Sequence, residues 1–101
     1  VPVMLTMAPD KAFATALAVA HDKGWTVVAS VPEEGRIEAT VSSRLYGFVD
    51  EVAVRISPAD GGSKVDLRSR SRLGRVDRGV NANRIRGYVA DLRRQSEQQR
   101  P

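Results

Sequence analysis

Short segments in which apolar and polar residues alternate limit the possible folds of this chain. The clearest segment runs from residue 36 to 42, where every second residue is apolar. Residues 50 to 57 and 64 to 72 repeat the pattern, and residues 25 to 31 form a fourth, more apolar segment. A period of two is typical of β-strands that have one buried face. Because the connections are short, the sequence predicts an antiparallel meander of four strands with one charged face.

Two helical segments flank these strands. Residues 9 to 23 carry an apolar stripe at spacings of three and four, with proline first and glycine directly after. A second stripe runs to residue 95, in a helix that begins at Arg78 or Ala82, with Asp77 or Asn81 as the N-cap. Both helices must cover the apolar face of the sheet. We therefore predict an α+β fold, a two-layer sandwich with the order αββββα and both helices on one face.

Length and composition indicate a single domain that spans residues 1 to 101. The chain is 42% hydrophobic and 28% charged, which is typical of a globular protein. We expect an ordered core from about residue 8 to 95 and a polar C-terminal tail from 96 to 101. No apolar run approaches the roughly 20 residues that a transmembrane helix needs. The absence of cysteine excludes disulfides and thiolate chemistry.

Charge pairing between strands predicts the register of the sheet. One register of the last two strands places Arg55 opposite Asp66, and one register of the middle two places Glu38 opposite Arg55. Opposite charges that face each other across a sheet stabilise it by about 0.2–1 kcal/mol per pair. We therefore expect acids on both sides of Arg55, whereas Arg68 and Arg72 face none.

Positive charge is concentrated in residues 64 to 86. This segment has eight basic and two acidic side chains, a net charge of +6, and the overall charge of +4 leaves −2 for the rest. Alternate residues of a strand point the same way, about 7 Å apart, so the strand arginines form a stripe toward solvent. Guanidinium groups suit phosphate and carboxylate. The predicted anion-binding residues are Arg68, Arg70, Arg72 and Arg75; the other interpretation is a solvated basic surface without a partner.

Two serines interrupt the apolar face of the last strand. Ser69 and Ser71 lie at positions where the alternation requires inward side chains, and buried hydroxyl groups need partners. The second helix begins soon after them. The sequence therefore predicts a polar corner made of Ser69, Ser71, Asp77, Asn81 and Arg84. This polar corner is either a structural hydrogen-bond network or a small anion-binding cleft at the start of the helix.

Other functional classes receive less support. Sheets that bind RNA carry stacking aromatics on the open face, whereas Trp25, Tyr46 and Phe48 fall at a strand start and in a loop. His21 is the single histidine, and the acidic pair Asp50–Glu51 is predicted to be solvated. We find no catalytic triad and no metal-ligand motif, and we predict no catalytic residue, metal or cofactor.

These patterns favour a non-catalytic binding module that recognises an anionic partner. The candidate partners are phosphate groups, lipid head groups or an acidic protein, with nucleic acid less favoured. The alternative is a small-molecule-binding domain that uses the polar corner as a cleft between the sheet and the C-terminal helix. An enzyme with unrecognised chemistry is a third, weaker hypothesis.

A family resemblance covers about residues 8 to 93. The segments GRIEATVSSRLYGFVDEVAVRI and VDLRSRSRLGRVDRGVNANRIR resemble domain-of-unknown-function family 1499 (DUF1499), found in bacteria and plastids. The pattern Ser-x-Ser-Arg-x-Gly-x-x-Asp-x-Gly-x-Asn is matched at every fixed position from Ser69 to Asn81. The resemblance implies a shared fold unit and no particular chemistry. It slightly favours the periplasmic side of a bacterial envelope as the location.

Overall fold

The computed structural model describes residues 2–42, 49–71 and 78–99. These segments contain five β-strands, two α-helices and a 3-10 turn, in the order βαββββα. The elements are β1 (Val3–Leu5), α1 (Pro9–Asp22), β2 (Thr26–Val31), the 3-10 turn (Pro32–Glu34), β3 (Arg36–Ser42), β4 (Val49–Ala59), β5 (Gly62–Ser71) and α2 (Arg78–Gln98).

The strands form one antiparallel sheet in the order β1-β5-β4-β3-β2. The predicted α+β class, with two helices and an antiparallel sheet, is confirmed, but the prediction of four strands in the order αββββα is wrong. The additional strand is β1, which places Val3 opposite Val65 and Leu5 opposite Ser63. Three residues are too few to display a period of two, so sequence reasoning missed this strand.

Both helices pack on the same face of the sheet, where the inward side chains form one hydrophobic core. Tyr88 of α2 is fully buried, and its ring stacks on Trp25 with centroids 5.0 Å apart. Its hydroxyl donates to the carbonyl oxygen of Ala16 in α1 at 2.6 Å, which satisfies the one polar atom of the ring. Burial raises the pKa of the Tyr88 hydroxyl. This contact ties α2 to α1 over the sheet.

The ordered structure extends beyond residues 8 to 95 at both ends. Strand β1 lies before residue 8, and α2 continues to Gln98 instead of ending at Gln95. Ser96 is buried, and Gln99 donates to the Thr15 hydroxyl at 3.0 Å, because the last turn of α2 packs beside α1. In the described segments, neither helix is both long and apolar enough to span a bilayer.

The register prediction is confirmed for one pair of strands and wrong for the other. Strands β4 and β5 place Arg55 opposite Asp66, as predicted. Strands β3 and β4 place Arg36, not Glu38, opposite Arg55, a difference of two residues. A shift of two keeps every side chain on its predicted face, so the apolar pattern alone does not distinguish the registers. The result is that Arg55 faces another arginine where an acid was expected.

Candidate functional site

The face of the sheet opposite the helices, here called the open face, is the candidate site. It is formed by side chains that alternate with the buried residues of the three central strands. Its charged residues, with the alanine that lies among them, are Arg36 and Glu38 from β3, Glu51, Ala53 and Arg55 from β4, and Lys64, Asp66, Arg68 and Arg70 from β5.

Three basic residues of the open face contact carboxylates. Arg36 bonds to Glu34 at 3.2 Å and also to Glu38, and these hydrogen bonds, that to Glu38 foremost, raise the pKa of Arg36. The Lys64 ammonium group lies 3.7 Å from a carboxylate oxygen of Asp66 on the same strand. The third pair joins Arg70 to Glu51 at 3.0 Å. Exposed pairs of this kind contribute about 0–1 kcal/mol each, so they balance charge more than they stabilise the fold.

Two exposed arginines of the open face, Arg55 and Arg68, differ from these three. Neither contacts a carboxylate within residues 2–42, 49–71 and 78–99. Arg68 faces Ala53, which has no charge to offer, and the Asp66 carboxylate opposite Arg55 lies near Lys64. At about 7 Å in water, two like charges repel by about 0.6 kcal/mol, so the fold tolerates both.

The small side chain of Ala53 leaves a depression at the centre of the open face. One hollow, of about 590 Å³, is lined by Arg55 and Arg68 together with Arg36. A second, of about 340 Å³, reaches toward Val28 on β2 and is also lined by Arg68. Ala53 lines both hollows, so Arg68 and Ala53 lie where they meet. This arrangement brings the guanidinium groups of Arg55 and Arg68, which contact no carboxylate in the described part of the chain, to a concave surface.

The polar corner lies on the inner face of the sheet. Ser69 donates to the Asn81 side-chain oxygen at 2.7 Å, and Arg84 donates to the same oxygen at 2.7 Å and to the Ser69 hydroxyl at 3.0 Å. Arg84 also pairs with Asp50 at 3.0 Å. These contacts join β4, β5 and α2. The corner is therefore a network whose members already use one another as partners.

Asp50 is the residue of this network that sequence reasoning missed. Its side chain is 13% exposed and that of Arg84 is 14% exposed, so the prediction of a solvated Asp50 is wrong. The alternation that turns Val52 and Val54 inward also turns Asp50 inward. This period of two is the sequence signal that could have predicted an inward Asp50. Asn81 is likewise not an N-cap, since α2 begins three residues earlier, at Arg78. No buried side-chain nitrogen or oxygen in the described residues lacks a hydrogen-bond partner.

Several predicted site residues lie outside the described residues, namely Arg72, Arg75 and Asp77. Ser71 is the last residue of β5, where it pairs with Asp50 along the backbone, and its side chain is not described. Thus the structure places Arg68 and Arg70 on the open face, and it brings Ser69, Asn81 and Arg84 together on the inner face. Within the described segments, no three histidine or acidic residues group in a way that could hold a metal ion.

Comparison with known proteins yields one family. The model of the family described as "Protein of unknown function (DUF1499)" matches residues 1–92. No curated protein matches the chain significantly. Because the family match covers nearly the whole length, and includes the complete motif from Ser69 to Asn81, the chain belongs to the DUF1499 family.

Proposed function

We propose that this chain is a non-catalytic binding module that recognises an anionic group of a partner through its open face. The observation that carries the proposal is Arg68, an exposed arginine at the centre of the sheet that faces Ala53 instead of an acid. A guanidinium without a carboxylate partner keeps all its donors for a ligand. Charge-assisted hydrogen bonds to phosphate or carboxylate are the strongest that such a group makes at a surface.

Arg70 is the second residue of the proposed interface. Its bond to Glu51 leaves the side chain 81% exposed, so an incoming anion can share the guanidinium with that carboxylate. Arg72 and Arg75 would extend the basic surface along the chain, which remains a proposal from sequence. The partner is therefore expected to bind weakly and through few contacts, and added salt should weaken the binding further because it screens exposed charges.

The polar corner supports the alternative of a small-molecule cleft less well. Its hydroxyl, amide and guanidinium groups bond to one another and to Asp50, so a ligand would have to break existing contacts. An unmatched buried donor or acceptor would favour a ligand there, and none is found among the described side chains. A structural role accounts for the corner without a ligand.

The proposal is tested by titrating the protein with short-chain polyphosphate and measuring affinity by calorimetry at low and high salt. Arg68→Gln should weaken binding about tenfold, because it removes one charge-assisted contact. The matched control is Arg93→Gln, which removes the same charge from an exposed position on α2. Equal losses in the two variants would mean that only net charge matters, and would overturn the assignment to the open face.

A further inference from the structure

We propose that Arg55 and Arg68 together form a site for one compact, doubly charged anion, a phosphate monoester, seated over Ala53. This Arg55–Arg68 site rests on the proposed function of Arg68, and it adds a second residue and a ligand class. The two arginines come from adjacent strands, β4 and β5, and line the same hollow of about 590 Å³.

The register of the sheet places the two guanidinium groups within reach of one ligand. Arg68 is opposite Ala53, and Arg55 follows Ala53 by two residues on the same strand. The arginines are therefore diagonal neighbours on one face, about 7–8 Å apart at their Cα atoms. The other diagonal of the same four positions holds Ala53 and Asp66. Ala53 carries only a methyl group, which leaves room for a tetrahedral anion on its side, between the two long arginine side chains.

Charge balance on the open face favours a doubly charged ligand. The other basic residues described on this face, namely Arg36, Lys64 and Arg70, each have a carboxylate partner, whereas Arg55 and Arg68 do not. Arg36 has two carboxylate partners, so the excess of positive charge is local to Arg55 and Arg68, and one dianion placed between these two guanidinium groups would match it. A phosphate monoester with its second proton removed supplies two charges and three acceptor oxygens on one atom, enough for both arginines to bond at once.

The surrounding acids favour a compact ligand over an extended polyanion. Glu38 and Asp66 line the same hollow, on either side of the two arginines. Glu38 is opposite Ala53 on β3, where it bonds to Arg36, and Asp66 is opposite Arg55 on β5, where it lies near Lys64. A ligand with charges along its length would extend past the two arginines toward both carboxylates, whereas a single phosphate group needs only the space between the two guanidinium groups.

The ligand class is tested with glycerol 3-phosphate, followed by NMR of the backbone amides at constant ionic strength. We expect a dissociation constant on the order of 1 mM for two exposed charge-assisted contacts. The second pKa of a phosphate monoester is about 6, so binding should be about tenfold weaker at pH 5 than at pH 7.5. Sulfate, a dianion at both pH values, should show no such change. Equal pH dependence for both anions would overturn the assignment to a phosphate monoester.

Variants of the site separate this proposal from the proposed function. Arg55→Gln and Arg68→Gln should each weaken glycerol 3-phosphate binding about tenfold, and Arg93→Gln should leave it unchanged. Ala53→Glu should abolish binding with both arginines present, because it places a carboxylate between them. If only Arg68→Gln weakens binding, the two-arginine site is refuted and the proposed function stands. If neither arginine variant weakens binding of glycerol 3-phosphate or of polyphosphate, the two-arginine site and the proposed function are both refuted. Retained binding in Ala53→Glu would refute the location over Ala53.

The source of the phosphate group is resolved with lipid vesicles. Vesicles that contain phosphatidic acid present a monoester, and vesicles that contain phosphatidylglycerol present a singly charged diester. Binding to the first and not to the second would support a lipid head group as the source. Binding to free glycerol 3-phosphate without binding to either vesicle supports a soluble phosphate. Stronger binding to phosphatidylglycerol than to phosphatidic acid would overturn the preference for a dianion.

Discussion

Replacement of Arg84 by leucine should destabilise the fold more than any exposed substitution. Arg84 pairs with Asp50 at 3.0 Å, and both side chains are about one-seventh exposed. The substitution leaves a largely buried carboxylate without its cation and removes a donor from Asn81 and Ser69. Loss of one partner of a buried pair costs about 3–5 kcal/mol, and the residual exposure places this one near 3 kcal/mol. For a domain of this size, that loss lowers Tm by about 15 °C.

The assay for Arg84→Leu is thermal and urea unfolding followed by circular dichroism. Arg86→Leu is the matched control, since Arg86 is exposed on the same helix and bonds only to Asn83 among the described residues. This control should change the free energy of unfolding by no more than about 0.5 kcal/mol. In a double-mutant cycle, Asp50→Leu with Arg84→Leu should cost less than the sum of the single changes. A loss below about 1 kcal/mol for Arg84→Leu, or strict additivity, would refute the reasoning that this pair stabilises the junction of β4 and α2.

Two further changes probe the connections between elements. Gly35 has a φ of 64°, and a Cβ at this position would lie 2.0 Å from the Ile56 carbonyl oxygen. Gly35→Ala should therefore destabilise the protein by several kcal/mol, measured by urea unfolding. A loss below about 1 kcal/mol would contradict this close packing. The hydrogen bond from Lys23 lowers the pKa of Asp91 below its usual 3.8, so the contact stabilises the fold at neutral pH and this contribution is lost as the pH falls through the lowered pKa. Asp91→Asn should therefore be less stable than the wild type at pH 7, and the two stabilities should converge near pH 2; a gap that persists in acid would exclude this cause.

Sequence patterns predict the faces of this fold better than its edges. The alternation in β3 and β4 is enough to separate buried Ile37 and Val54 from the charged residues between them, because burial on one side enforces a period of two. Strand β1 and the end of α2 have no such signal. Val3 and Leu5 are buried because β1 adds to the edge of β5, a tertiary contact that no local pattern of three residues records.

The inner polar residues illustrate a different limit. Ser69, Asn81 and Arg84 stand out in the sequence because polar side chains interrupt an apolar face, and the structure brings all three together. Asp50 completes the network from β4, but it is the second residue of its strand, and an acid near the end of a strand is ordinarily solvated. Its burial depends on the arrival of Arg84 from α2, far along the chain, and only the assembled fold supplies that cation.

The register of β3 against β4 has the greatest consequence for the candidate site. Maximising opposite charges across the strands predicts Glu38 beside Arg55, which would neutralise Arg55 and leave Arg68 alone. The observed register instead sets Arg36 opposite Arg55, and Arg36 takes both Glu34 and Glu38 for itself. Exposed charge pairs are worth too little to set a register by themselves. The same two-residue difference leaves a second arginine near Ala53 without a carboxylate contact among the described residues, and a site for a dianion needs two such charges rather than one.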